Sequence, residues 1–84
     1  MPYQLTIKPK AAKALEKIGE PDYSAIKSSI YALSNNPRPH GYIKLKGREG
    51  YRIRIGDYRV IYNIFDKTLI VDVVRIGNRR DIYE

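Results

Sequence analysis

Between Tyr51 and Tyr62 the chain alternates so regularly that its local fold has little freedom left. Tyr51-Arg52-Ile53-Arg54-Ile55 runs apolar, basic, apolar, basic, apolar; Gly56-Asp57 follows, and Tyr58-Arg59-Val60 carries the pattern back. Successive side chains on a strand point to opposite faces, so a period of two marks a strand with one buried face. A Gly-Asp pair between two such runs signals a two-residue hairpin. In that register Ile55 pairs with Tyr58, and Arg54 lies directly across from Arg59. Arg52 shares their face. Tyr51, Ile53 and Ile55 point the other way with Tyr58, Val60 and Tyr62.

Like charges placed opposite one another on a sheet are destabilising. A chain of 84 residues without cysteine has no disulfides to offset that and only a modest core. A solvated face on which arginine stems cover apolar surface explains one such residue well and three convergent ones poorly. An anion site explains all three. The formal net charge is +7, which fits an acidic protein or a nucleic acid as partner. Seven of the eight arginines (Arg48, Arg52, Arg54, Arg59, Arg75, Arg79 and Arg80) lie in the second half, while the first half relies on lysine. The guanidinium fork matches phosphate oxygens, whereas the lysine ammonium is a strongly hydrated point charge.

The remaining patterns predict an α+β domain spanning residues 1–84. Tyr3 to Ile7 alternates as a first strand. Pro9 to Ile18 has Ala11, Leu15 and Ile18 at helical spacing, with Pro9 in the first turn and Gly19 after the end. A second helix starts near Pro21 and Asp22, buries Tyr23, Ile26, Ile30 and Leu33, and stops at Asn35-Asn36-Pro37. After a loop from Pro37 to Gly41, Tyr42 to Leu45 forms a short edge strand. Tyr51 to Ile55, Tyr58 to Phe65 and Leu69 to Ile76 make an antiparallel meander that Gly77 breaks. The order is β-α-α followed by the meander. Two N-terminal helices then pack on one face of a four-stranded antiparallel sheet, five-stranded if the edge strand forms, and leave the other face free. Tyr23, Tyr31, Tyr58 and Tyr62 are expected at core positions. Tyr83 sits in a polar tail after Arg79 and Arg80, where a functional and a packing role are equally compatible with the pattern.

Those residues carry a family resemblance. Gly47-Arg48-Glu49-Gly50-Tyr51-Arg52-Ile53-Arg54-Ile55-Gly56-Asp57-Tyr58-Arg59-Val60-Ile61-Tyr62 resembles the central hairpin of RelE/ParE-superfamily toxins. The tail Arg75-Ile76-Gly77-Asn78-Arg79-Arg80-Asp81-Ile82-Tyr83 is similar to theirs, as are the lead-ins Asn36-Pro37-Arg38-Pro39 and Lys44-Leu45-Lys46-Gly47. The likeness covers essentially the whole chain and is nearest to the RelE-like branch. It implies a RelE-like fold and a cytoplasmic toxin that cleaves messenger RNA in the ribosomal A site. A cognate RelB-like antitoxin would hold it inactive, with operator DNA reached only through the antitoxin complex. Carried over by position, the catalytic set is Arg52, Arg54, Arg59, Arg79 and Tyr83. Two departures stand out: several relatives have lysine where this chain has Arg52 and Arg54, and many have histidine in place of Asn78.

RNA cleavage of this kind requires a base for the 2′-hydroxyl, stabilisation of a pentavalent phosphorus and an acid for the 5′-oxygen. His40 is the single histidine, in a Pro/Gly loop, and reads as a surface residue. Glu49 reads as a turn-flanking carboxylate. Arginine is a poor base, but the anion of tyrosine, whose pKa starts near ~10, is favoured by nearby cations. This assigns Tyr83 as base, Arg52 and Arg59 to the phosphorane, Arg79 to the leaving oxygen and Arg54 to phosphate binding. Lys44, Lys46, Arg48 and Arg80 are further candidates for RNA contact. So are Lys10, Lys13 and Lys17 of the first helix, although a solvated helix face also accounts for them. The absence of cysteine, a single histidine and scattered carboxylates give no metal-ligand pattern, and no cofactor is implied. No apolar run reaches the length of a membrane span, and no signal-peptide pattern opens the chain. Two rivals remain: a ParE-like gyrase inhibitor, which does not need convergent arginines, and a non-enzymatic RNA-binding protein.

Overall fold

The structure, a computed structural model, describes residues 2–82. The elements are β1 (Gln4–Ile7), α1 (Pro9–Glu16), α2 (Asp22–Ala32), β2 (Ile43–Lys44), β3 (Tyr51–Ile55), β4 (Tyr58–Phe65) and β5 (Ile70–Asn78). They form two helices packed on a five-stranded sheet of order β1-β5-β4-β3-β2.

The strands β2 to β5 are the expected antiparallel meander. The sheet nevertheless departs from all-antiparallel pairing, because β1 joins parallel to β5, with Leu5 opposite Val71 and Ile7 opposite Val73. A parallel neighbour needs a long crossover, and the two helices, with the meander, supply it. Both helices are shorter than their apolar stripes suggested. At the end of α1 the Lys17 and Ile18 amides donate to Ala14 and Leu15, and at the end of α2 the Leu33 amide donates to Ile30. Such i to i−3 bonds tighten the last turn out of α-geometry while leaving Ile18 and Leu33 against the core.

Ala11, Leu15, Ile26, Ile30 and Leu33 of the helical layer meet Ile53, Val60, Tyr62, Val71, Val73 and Ile76 of the sheet in one buried cluster. Tyr31 is not part of it. One residue past Ile30, it falls off the apolar stripe and is 56% exposed, with Lys27 Nζ 5.8 Å from its ring centroid. Tyr62 is fully buried, and its hydroxyl donates to the Pro37 carbonyl at 2.7 Å, fastening the loop after α2. Removal from water pushes the Tyr62 hydroxyl up to about 12. On the rim, Asp66 accepts from Arg38 at 2.9 and 3.3 Å and from the Tyr3 hydroxyl at 2.7 Å. The Arg38 guanidinium holds the Asp66 carboxyl below its ordinary range.

A bulge in β5 decides which residues face away from the helices. Ile61 pairs with Arg75 but Tyr62 pairs with Val73, so Val74 is an extra residue without a partner in the register. Strict alternation after Val73 would turn Arg75 inward. The bulge resets the phase, so Ile76 enters the core while Arg75 and Gly77 share the outer face with Ile61 and Arg59.

Candidate functional site

The β3–β4 hairpin has the register expected from its alternation: Ile55 opposite Tyr58, Arg54 opposite Arg59, Ile53 opposite Val60. Gly56 supplies φ +59° at the first turn position, a backbone region that glycine enters without a Cβ clash. Arg54 is exposed, Arg52 half-buried on the same face, and Arg59 only 9% exposed. Arg59 Nη1 donates to the Gly56 and Tyr58 carbonyls, each at 3.0 Å. Its guanidinium therefore braces the hairpin turn beside Arg54, its cross-strand partner.

The face behind these arginines is not free. Ile61 (2% exposed) and Ile82 (1%) are buried yet lie outside the helix-side cluster. Ile82 Cδ1 sits 3.4 Å from the point where a Cβ on Gly77 would stand. The C-terminal turn thus folds back over the sheet and covers part of it with an apolar side chain. Gly77 accordingly does not break β5, which runs on to Asn78; it leaves room for Ile82 to approach the strand. The Asn78 carbonyl holds the turn through the Asp81 and Ile82 amides. The Arg79 amide donates to the Asp57 carbonyl at 2.8 Å, and its Nε lies 4.0 Å from Asp57 Oδ1. Two turns far apart in sequence are tied together, and Arg79 is brought to the hairpin tip.

The structure thus gathers Arg52, Arg54 and Arg59 with Arg79 near by. Tyr83 lies outside the described residues. Arg80 is exposed on the C-terminal turn, its amide donating to Asn78 Oδ1. Lys46 and Arg48 are exposed in the β2–β3 loop. Lys44 is separate: it pairs with Tyr51, so the register puts it on the helix-bearing side of the sheet. Lys10 and Lys13 on α1 and Lys17 just past its end are exposed, in the layer across the sheet from Arg54. Among the described residues no group of three or more His, Cys, Asp or Glu side chains is placed to hold a metal ion. None of their helices is long and apolar enough to cross a membrane. Ile61 and Ile82 were not singled out from sequence, and Asp57 was read only as a turn residue. The signal for Ile61 was present in Val60-Ile61-Tyr62, an apolar run that breaks the alternation and marks a strand covered on both faces.

Comparison with known proteins settles the kinship. The family model described as ParE toxin of type II toxin–antitoxin system, parDE, matches residues 5–83. The chain belongs to the RelE/ParE family of toxins. Within this family it is RelE-like: it is 33% identical to the toxin RelE of Mycobacterium tuberculosis, over 98% of this chain and 87% of that one. The RelE chain of the archaeal RelE–RelB complex from Pyrococcus horikoshii superposes with a TM-score of 0.84 at 30% identity, covering 96% of this chain and 99% of the other. The matching chain of the intact RelBE toxin–antitoxin complex from E. coli gives 0.78 at 26% identity, covering 90% and 95%. The RelE-like arrangement of two helices on a mostly antiparallel open sheet is therefore shared across bacterial and archaeal relatives.

Proposed function

We propose that this RelE-like toxin is a ribosome-dependent, metal-independent endoribonuclease that cuts messenger RNA in the A site and thereby inhibits translation. The reading rests on one observation above all. Arg54 and Arg59 are paired across a hairpin with Arg52 on the same face, and Asp57 draws Arg79 to its tip. Guanidinium groups collected there suit the charge that develops as a phosphodiester is attacked.

In the reaction the 2′-oxygen of one nucleotide loses its proton and bonds to the adjacent phosphorus. The bond to the 5′-oxygen breaks, leaving a 2′,3′-cyclic phosphate and a 5′-hydroxyl. Arg52 and Arg59 stabilise the phosphorane, Arg54 binds phosphate, the Tyr83 phenolate takes the 2′-proton, and Arg79 supports the leaving oxygen as it takes a proton from solvent water. Charge stabilisation and positioning supply most of the rate. The ribosome holds the messenger in the bent, reactive geometry, so free RNA is a feeble substrate. A RelB-like antitoxin restrains the toxin in the cytoplasm, consistent with the RelE–RelB complexes among its structural relatives, and operator DNA is met only through that complex.

The test is cleavage of messenger on purified ribosomes with a vacant A site. Arg54→Ala and Arg79→Ala should each lower the rate by about a hundredfold. Tyr83→Phe should cut slowly yet still bind the ribosome. The matching family model bears the ParE name, which favours gyrase inhibition as the second reading. Intact messenger together with blocked DNA supercoiling would establish that reading and overturn the first.

A further inference from the structure

Where β2 gives out, β3 has an open edge. Residues flanking a two-residue turn exchange both backbone bonds, and bonded and unbonded pairs then alternate along the ladder. Ile55 and Tyr58 flank the turn, so the Arg54 amide and carbonyl point away from β4. On that side Ile43 pairs with Arg52, and the Leu45 amide donates to the Gly50 carbonyl at 3.0 Å. The next partner in this register would be Gly41. The chain has turned out of the sheet there, with the Tyr42 amide donating to the Pro39 carbonyl at 3.0 Å. Among the described residues no backbone group meets Arg54 on that side. The gap is a cleft of about 180 Å3 lined by Ser29 and Ala32 of α2, Pro39 and His40 of the loop, and Ile53 and Arg54 of β3. Ile53 points to the helices and the Arg54 side chain to the outer face. The cleft lies at the edge between the two faces, so what Arg54 offers it is its main chain.

We propose that this cleft is a base pocket for single-stranded RNA: the nucleotide whose phosphate is held by the Arg54 guanidinium turns its base over the open edge into it. The proposal rests on the reading of Arg54 as a phosphate ligand and adds a contact to the base. The Arg54 amide and carbonyl present a donor beside an acceptor, and the Watson–Crick edge of every base carries the complementary pair. Ala32, Pro39 and Ile53 supply apolar walls, and the His40 ring supplies a surface for stacking. The Ser29 hydroxyl donates or accepts as the base requires. Since the main-chain pair suits all four bases, the pocket demands a base without choosing among them. His40 is then a substrate contact and not a proton carrier.

The purified full chain can be titrated with 2′-O-methyl hexa-adenylate, whose blocked 2′-oxygens cannot attack phosphorus, and with its abasic counterpart, which keeps every phosphate. Probe polarisation and amide resonances are followed. Hexa-adenylate should bind about tenfold more tightly than the abasic strand and should shift the Ala32 and His40 signals, which the abasic strand leaves in place. Ala32→Leu fills the cleft with a good helix former at an exposed position of α2, and should bring the two strands to equal affinity. His40→Ala, in the exposed loop, should narrow their difference about threefold without adding volume. Equal affinity of the two strands for the wild type, unmoved Ala32 and His40 signals, or an undiminished difference in either variant would each overturn the proposal. Wild-type protein that leaves messenger uncut on ribosomes yet keeps the base-dependent affinity would overturn the nuclease reading and leave the pocket standing.

Discussion

Arg54 and Arg59 are cross-strand partners in the β3–β4 hairpin, two like charges in register on one face of the sheet, and Arg59 is turned onto the Gly56 and Tyr58 carbonyls. An opposed like-charge pair in a small domain is expected to reduce stability. Arg54→Thr should therefore stabilise the fold by about 0.5 kcal/mol, raising Tm by about 3 °C at low salt. The gain should shrink as added salt screens the repulsion in the wild type. Messenger cutting should fall in the same variant, so that stability and activity move in opposite directions.

Ile82 is expected to hold the C-terminal turn onto the sheet through its contact at Gly77. Ile82→Ala should lower stability by about 2 kcal/mol, seen in thermal melts. Messenger cutting should drop too, because Arg79 is carried by that turn. Full stability in Ile82→Ala would mean that the turn contributes nothing to the fold.

Tyr62 tests the opposite side of the sheet. Tyr62→Phe removes the 2.7 Å bond to the Pro37 carbonyl while keeping the ring in the core. A loss of about 1 kcal/mol is expected, with Tm falling by about 6 °C. The rate of messenger cutting at temperatures well below the transition should be unchanged.

Acid should weaken the rim through Asp66. Its carboxyl is held below the ordinary value of 3.8 by Arg38 and then by Tyr3. A carboxyl whose native pKa is depressed contributes stability above its unfolded value and loses it as pH falls toward the native one. Wild-type Tm should thus fall more steeply than that of Asp66→Asn below about pH 4. Parallel pH profiles for the two proteins would show that the Arg38–Asp66–Tyr3 contacts add nothing.

How much of this was legible in the sequence depended on whether local chemistry or a distant neighbour decided the outcome. The β3–β4 register was legible because Gly56-Asp57 fixes the turn and the alternation contrasts arginine with isoleucine at each step. The parallel placement of β1 was not, since Tyr3 to Ile7 carries a period of two but nothing that names its neighbour. The bulge at Val74 was hidden because Val73 and Val74 are both apolar, so nothing between Asp72 and Arg75 marks a change of phase. Gly77 was misread as a terminator because its reason for being small is Ile82, which reaches it only after the chain turns back. The convergence of Arg52, Arg54 and Arg59 followed from alternation alone, whereas the tie of Arg79 to Asp57 links residues on different turns and needed the fold. Lys44 went to the other side of the sheet because a strand as short as Ile43–Lys44 carries no periodicity.

The gathering of arginines on the hairpin as a site for messenger cleavage is tested most directly in cells. The toxin is induced without any antitoxin, and messenger 5′ ends on ribosomes are mapped for the wild type and for Arg79→Ala. Cuts inside codons at the A-site position, rising on induction and absent in Arg79→Ala, are the expected result. Uncut messenger with toxicity that persists in Arg79→Ala would contradict it.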